Sequence, residues 1–216
     1  MNKIIEKFNK IKLNISKIQK LNPVNIVAIS KTFPLDHIKP LIDFGHKHFG
    51  ENKVQEATSK WKSLKLDQPD LKLHMVGGLQ TNKAKNAADL FDYIHSLDRQ
   101  KLADILSDYE KNSSKSLKYF VQVNIGDETQ KYGIPSLEVE SFVDYCVREK
   151  KLNVIGLMVI PPNDNNTKKY FEFTNKLNKS LGLPELSMGM SSDYEEAVKN
   201  DSTFVRIGSS IFGNRS

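Results

Sequence analysis

Apolar positions along the chain follow two rhythms. Near the start, Ile4, Phe8, Ile11, Ile15 and Ile18 recur at 4-3-4-3 spacing, which lines one face of an amphipathic helix. Short apolar runs follow at residues 26–30, 48–50, 73–77, 93–97, 119–125, 154–160, 186–188 and 204–207. Amphipathic segments separate them. Leu102, Ile105, Leu106 and Tyr109 share one helical face. Phe142, Val143, Cys146 and Val147 share another, and Tyr170, Phe173, Thr174 and Leu177 a third. Strands alternating with helices predict an α/β fold with a parallel sheet. Eight strands is the number that closes a (β/α)8 barrel of the TIM type, and an open doubly wound sheet is the competing architecture. No polar linker divides the chain, so residues 1–216 are expected to form a single domain with an extra N-terminal helix.

Both architectures bind ligands at the carboxyl ends of their strands, so the residues just after each run carry the functional signal. Lys31 follows the first run, Glu51 and Asn52 the second, and "GGLQTNK" the third. "MGMSSDY" follows the seventh, and the eighth carries Arg206 and then Gly208, Ser209 and Ser210. Hydroxyls at the turn into a helix near Ser192 favour an anion, as does a glycine that lets backbone approach a ligand. Each element alone reads as an ordinary cap or turn. Together, after strands seven and eight, they favour phosphate. Lys31 then pairs with that phosphate, forms a Schiff base with an aldehyde, or simply lays its stem on apolar surface with its head in water. Spacing alone favours the last of these.

Composition narrows the classes. The net charge of +6 is spread along the chain without a basic block, so nucleic-acid binding has little support. "TNKAKN" reads as the start of a solvated helix. One cysteine, Cys146, excludes an intramolecular disulfide and reads as core filler. No run approaches the length of a membrane span, and the lysine-rich N-terminus is no signal peptide. The expected location is the cytoplasm. No metal site is expected.

The stretches "VAISKTFP", "HFGENKVQEA", "GGLQTNKAKN", "GLMVIPP" and "LSMGMSSDYEEAVKNDSTFVRIGSSIFG" closely resemble the pyridoxal 5′-phosphate (PLP) homeostasis proteins. These are also called the YggS or proline-synthetase co-transcribed homologues. The resemblance runs in order from about Asn25 to Gly213. That family is similar to the barrel domain of alanine racemase without its second domain, which implies the barrel over the open sheet. It implies PLP as cofactor, joined to Lys31 as a Schiff base. It implies a phosphate held by Ser191, Gly208 and Ser209 with Ser192 close by, and Arg206 facing the pyridine nitrogen. Asn52, Met75 and Gly77 line the cofactor region by the same resemblance. Gly78 stands where histidine or proline is frequent in the family, and Leu73 where tryptophan is.

The implied function is a non-enzymatic PLP carrier and buffer that supplies apo PLP-dependent enzymes. The alternative is a PLP-dependent amino-acid racemase. Racemisation needs an acid and a base on opposite faces of the substrate carbon. Lys31 serves one face, and no second base is evident. No catalytic residue is therefore assigned. The five histidines, His37, His46, His48, His74 and His95, each read as structural.

Overall fold

In the computed structural model, residues 2–20, 22–113, 115–126, 132–164 and 166–213 are described. The chain runs α1 (Lys3–Ile18), β1 (Asn25–Ile29), α2 (Leu35–Asp43), β2 (His48–Glu51), α3 (Val54–Asp67) and β3 (Lys72–Met75). It continues through α4 (Ala84–Leu90), β4 (Tyr93–Leu97), α5 (Gln100–Lys111), β5 (Lys118–Asn124), β6 (Ile134–Pro135) and α6 (Val139–Asp144). It ends with β7 (Val154–Val159), α7 (Thr167–Ser180), β8 (Glu185–Ser187), α8 (Tyr194–Lys199), β9 (Phe204–Ile207) and α9 (Ser209–Phe212).

The strands β1–β5 and β7–β9 are parallel neighbours, and β4 also pairs with β5, which closes the sheet into the expected (β/α)8 barrel. Each of the eight apolar runs is a barrel strand. Even the three-residue β8 pairs on both edges, with β7 through Leu186 and with β9 through Ser187. The two-residue β6 is a rim strand that adds to β5 and carries no hydrophobic signal of its own.

Two layers of core follow from strand alternation. Outward residues such as Ile26, Ala28, Val205 and Ile207 join the large cluster beneath the helices. Inward residues Val27, Ile29, Tyr93, Phe120, Met158 and Phe204 fill the barrel itself. The helix after the last strand, α9, has only four residues and cannot cover the sheet there. The N-terminal helix supplies the missing cover, packing against α9, α8 and α2. Its Ile4, Phe8, Ile11 and Ile15 are buried, each worth about 2 kcal/mol of apolar burial.

The predicted α7 face needs correction. Phe173 points to solvent, while Phe171, Thr174 and Asn178 are buried. Asn178 explains the shift: its Oδ1 accepts the Leu157 N–H at 2.9 Å and its Nδ2 donates to the Leu183 carbonyl at 2.9 Å. Those bonds tie the helix to β7, so a polar residue owns the inner face. Cys146 is fully buried in a π-helical turn, and burial pushes its thiol up to about 12, as suits a packing residue. Val147 beside it is exposed.

Candidate functional site at the barrel mouth

A cavity of about 540 Å³ opens at the carboxyl ends of β1, β8 and β9. It is lined by Lys31, Ser191, Ser192, Arg206, Gly208 and Ser209, with Ile29, Phe33, Val76, Ile160, Met190 and Gly213 completing the wall. Six of the nine residues proposed from sequence thus meet in one space. Sequence reasoning missed the apolar wall, because those residues read only as strand and loop fillers.

Lys31 is half-buried, one residue beyond the end of β1 after Ser30. Its backbone neighbours are braced from outside the barrel. Ser30 Oγ donates to Glu51 Oε1 at 2.8 Å, and Lys60 Nζ donates to both Glu51 Oε1 and the Ser30 carbonyl at 2.9 Å. Trp61 Nε1 adds a third donor to Glu51 Oε1 at 2.9 Å. Thr32 takes a left-handed conformation, φ 69°, which a β-branched residue adopts only under constraint. The Glu56 carboxylate holds it there, accepting the Thr32 N–H at 2.6 Å. Burial alone would raise the Glu56 carboxyl, but the Thr32 N–H and Lys60 together hold it below its usual value.

The hydroxyl-lined wall comes from two turns. Met190 to Asp193 turn into α8, with Asp193 Oδ1 accepting the Met190 N–H at 2.5 Å. Ser191 Oγ reaches across to accept the Ser210 N–H at 3.4 Å, which joins this turn to the loop after β9. Gly208 sits close against β1: a Cβ there would fall 3.3 Å from Ile29 Cβ, a tight contact that a glycine avoids.

Arg206 forms the buried end of the cavity. Its Nη1 donates to the Ser187 carbonyl and hydroxyl at 2.8 Å, and its Nη2 to the Val159 carbonyl at 2.8 Å. All three acceptors are neutral. Burial lowers its pKa to about 10, which leaves it a cation at neutral pH. Among the described residues, two of its five N–H groups make no hydrogen bond within the chain.

The other three proposed residues sit next door. Asn52 and Met75 line an adjoining cavity of about 410 Å³ with Gly78, Lys83 and Tyr132. Among the described residues, the buried Asn52 Oδ1 has no hydrogen-bond partner. Gly77 packs against Asn52, where a Cβ would fall 2.5 Å from the Asn52 carbonyl oxygen. At Gly78 the space a side chain would take lies against the Tyr132 ring.

Residues 7–216 match the family model described as "Alanine racemase, N-terminal domain". The chain is 36% identical over 203 residues to the pyridoxal phosphate homeostasis protein of Aquifex aeolicus, covering 90% of this chain and 88% of that protein. It is 35% identical over 201 residues to the protein of that name from Escherichia coli K12, covering 89% and 86%. Among solved structures, PipY of Synechococcus elongatus PCC7942 with PLP bound superposes with a TM-score of 0.85 at 32% identity, covering 97% of this chain and 100% of PipY. An alanine racemase from Clostridium difficile 630 shares the fold alone, with a TM-score of 0.72 at 14% identity, and this chain spans 56% of it. The chain belongs to the alanine racemase N-terminal-domain family and, within it, to the pyridoxal phosphate homeostasis proteins.

Proposed function

We propose that this protein binds PLP at the barrel mouth and acts in PLP homeostasis, as a single-domain carrier rather than an enzyme. The observation that carries the proposal is one cavity that joins an amine, a hydroxyl-lined wall and a buried cation. PLP brings an aldehyde, the natural partner of the Lys31 amine, and an electron-withdrawing pyridine ring. Ser191, Ser192, Ser209 and the backbone at Gly208 would hold its phosphate. Arg206 would face the ring nitrogen, and Asn52, Met75 and Gly77 would border the site from the adjoining cavity. The donor set fits the group: hydroxyls and a cation for an anion, and a lysine presented from a braced strand end.

The same lining argues for holding over turnover. Among the described residues of the cavity, Lys31 is the only amine, carboxylate or imidazole, so none of them stands opposite it as a second proton-transfer group. A carrier needs one reversible covalent contact and a good anion site, and on this reading Lys31 and the serine wall would provide them. The cytoplasm is where such a reservoir meets apo PLP-dependent enzymes, the recipients it would supply. Among the described residues no helix is long and apolar enough to cross a membrane.

The test is the absorption spectrum of the purified protein with added PLP, before and after borohydride reduction, with the modified residue mapped by mass spectrometry. The expected result is a visible band lost on reduction and one adduct on Lys31, absent in Lys31→Ala. A protein that takes up no PLP, or is reduced at another lysine, overturns the assignment.

A further inference from the structure

Three histidines that read singly as structural are joined end to end inside the barrel. His48 Nδ1 lies 2.9 Å from His74 Nε2, and His74 Nδ1 lies 2.9 Å from His95 Nε2. His95 Nδ1 lies 2.9 Å from Ser187 Oγ, which also accepts Arg206 Nη1 at 2.8 Å. The chain therefore runs from the half-buried His48, at the start of β2, to the arginine of the candidate site. Aromatic rings fix its members: His74 stacks on Tyr93 at 4.2 Å and 13°, and His95 on Phe120 at 4.3 Å and 26°.

The direction of the hydrogen bonds follows from their ends. Arginine has no acceptor, so Arg206 donates to Ser187. Ser187 Oγ has room for a second donor, but among the described residues His95 Nδ1 is the one acceptor within reach of its hydroxyl hydrogen, and satisfying that hydrogen points it to His95. His95 must carry its own hydrogen on Nε2 and donate to His74 Nδ1, and His74 repeats the pattern toward His48. Each bond polarises the next, which strengthens Ser187 as an acceptor. Burial lowers the pKa of all three histidines, most strongly for His74 and His95, so the chain stays neutral beside the Arg206 cation.

We infer that His48, His74, His95 and Ser187 are positioning residues, a one-directional hydrogen-bond chain that aims Arg206 into the cofactor cavity and links that cavity to solvent at the opposite end of the barrel. The identity of the ring that Arg206 meets rests on the PLP reading; the chain itself does not. Protonating His48 puts a hydrogen on its Nδ1 and reverses every bond. Ser187 then faces two donors and its own hydrogen loses its acceptor, so the grip on Arg206 weakens. Besides Tyr93, the titratable and charged groups that face His48 are His46, Lys72, Asp92 and Lys118, and Lys65 adds to the field at His74.

Nitrogen-15 NMR of histidine-labelled protein without PLP tests the chain. Three neutral Nε2–H tautomers are expected for His48, His74 and His95 at neutral pH, and an Nδ1–H tautomer at any of them overturns the inference. PLP titrations test the link to the site. His95→Phe, which keeps an aromatic ring beside Phe120, and Ser187→Ala should each weaken PLP binding about tenfold, the scale of a lost hydrogen bond to a charged group. Both should shift the pH profile of the bound-PLP spectrum, while affinity for inorganic phosphate stays within about twofold of wild type, because the proposed phosphate wall touches neither residue. His48→Phe should abolish the acid limb of PLP affinity alone. Wild-type spectra and affinities in all three variants would overturn the inference. A wild-type protein that binds no PLP would sink the functional reading and leave the NMR result standing.

Discussion

Acid stability offers a direct test of how the barrel treats its histidines. His46 lies between α2 and β2, with its ring 4.7 Å from that of Phe8 and 5.2 Å from that of Phe49. Its Nε2–H donates to the His48 carbonyl at 2.8 Å. Burial lowers its pKa from 6.5 to about 4, and the charges of His48 and Lys12 push the same way. The unfolded chain takes up this proton below pH 6.5, the folded chain only near pH 4. The unfolded state thus binds more protons in between, so stability is complete above pH 6.5 and falls as pH drops toward 4. The total effect is about 3 kcal/mol, of which about 2 kcal/mol is lost by pH 5. The perturbation is His46→Phe, which keeps an aromatic ring between Phe8 and Phe49. Losing the hydrogen bond should cost about 1 kcal/mol at every pH. Urea unfolding at pH 7 and pH 5 separates the two effects, and carboxylate titration cancels between the proteins. The variant should lose about 2 kcal/mol less than wild type between these pH values. Equal losses would refute the claim that a half-buried neutral imidazole sets this part of the acid limit.

The brace behind Lys31 should behave as a coupled unit. Lys60→Met strands the fully buried Glu51 carboxylate and should destabilise the fold by about 3 kcal/mol in urea unfolding at pH 7. Adding Glu51→Gln should recover a large part of that loss; strictly additive losses would show that the pair is not coupled. Gly77→Ala places a Cβ 2.5 Å from the Asn52 carbonyl oxygen and should cost about 2 kcal/mol in the same assay. An unchanged midpoint would mean the loop after β3 yields freely.

The barrel was legible because its strands are continuous apolar runs flanked by helical periodicity, the signature of a parallel sheet covered on its outer face. What periodicity could not convey was closure, since an open sheet produces the same runs. The family resemblance supplied that. Ser191, Ser192, Gly208 and Ser209 were legible as a group because they follow strands seven and eight. The brace of Glu51, Glu56 and Lys60 was not, because Lys60 sits on a helix surface in sequence and meets Ser30 only across a β/α interface. The histidine chain was hidden for a similar reason. His48, His74 and His95 come from three strands, and the stagger of a closed barrel is what brings each imidazole nitrogen to the next. A signal did exist: a polar residue falls at an inward position of β2, β3, β4 and β8, where a barrel interior should alternate in apolar layers.

The neutral hydrogen-bond acceptors of Arg206 bear on why this barrel would store a cofactor rather than use it. A buried arginine is ordinarily expected to pair with a carboxylate. Here its acceptors are two carbonyls and a hydroxyl, each of which satisfies an N–H without cancelling the charge. A full cation opposite a pyridine nitrogen disfavours protonation of that nitrogen, and an unprotonated pyridine withdraws electrons poorly. Replacing Ser187 by a carboxylate would shield Arg206 and also reverse the demand on His95. The histidine chain avoids both outcomes. It gives Arg206 an acceptor strengthened by three neutral rings, and it leaves no carboxylate among that cation's described hydrogen-bond acceptors. On the proposed function, the interior is built to hold PLP by its charge and its aldehyde while leaving its ring chemically quiet.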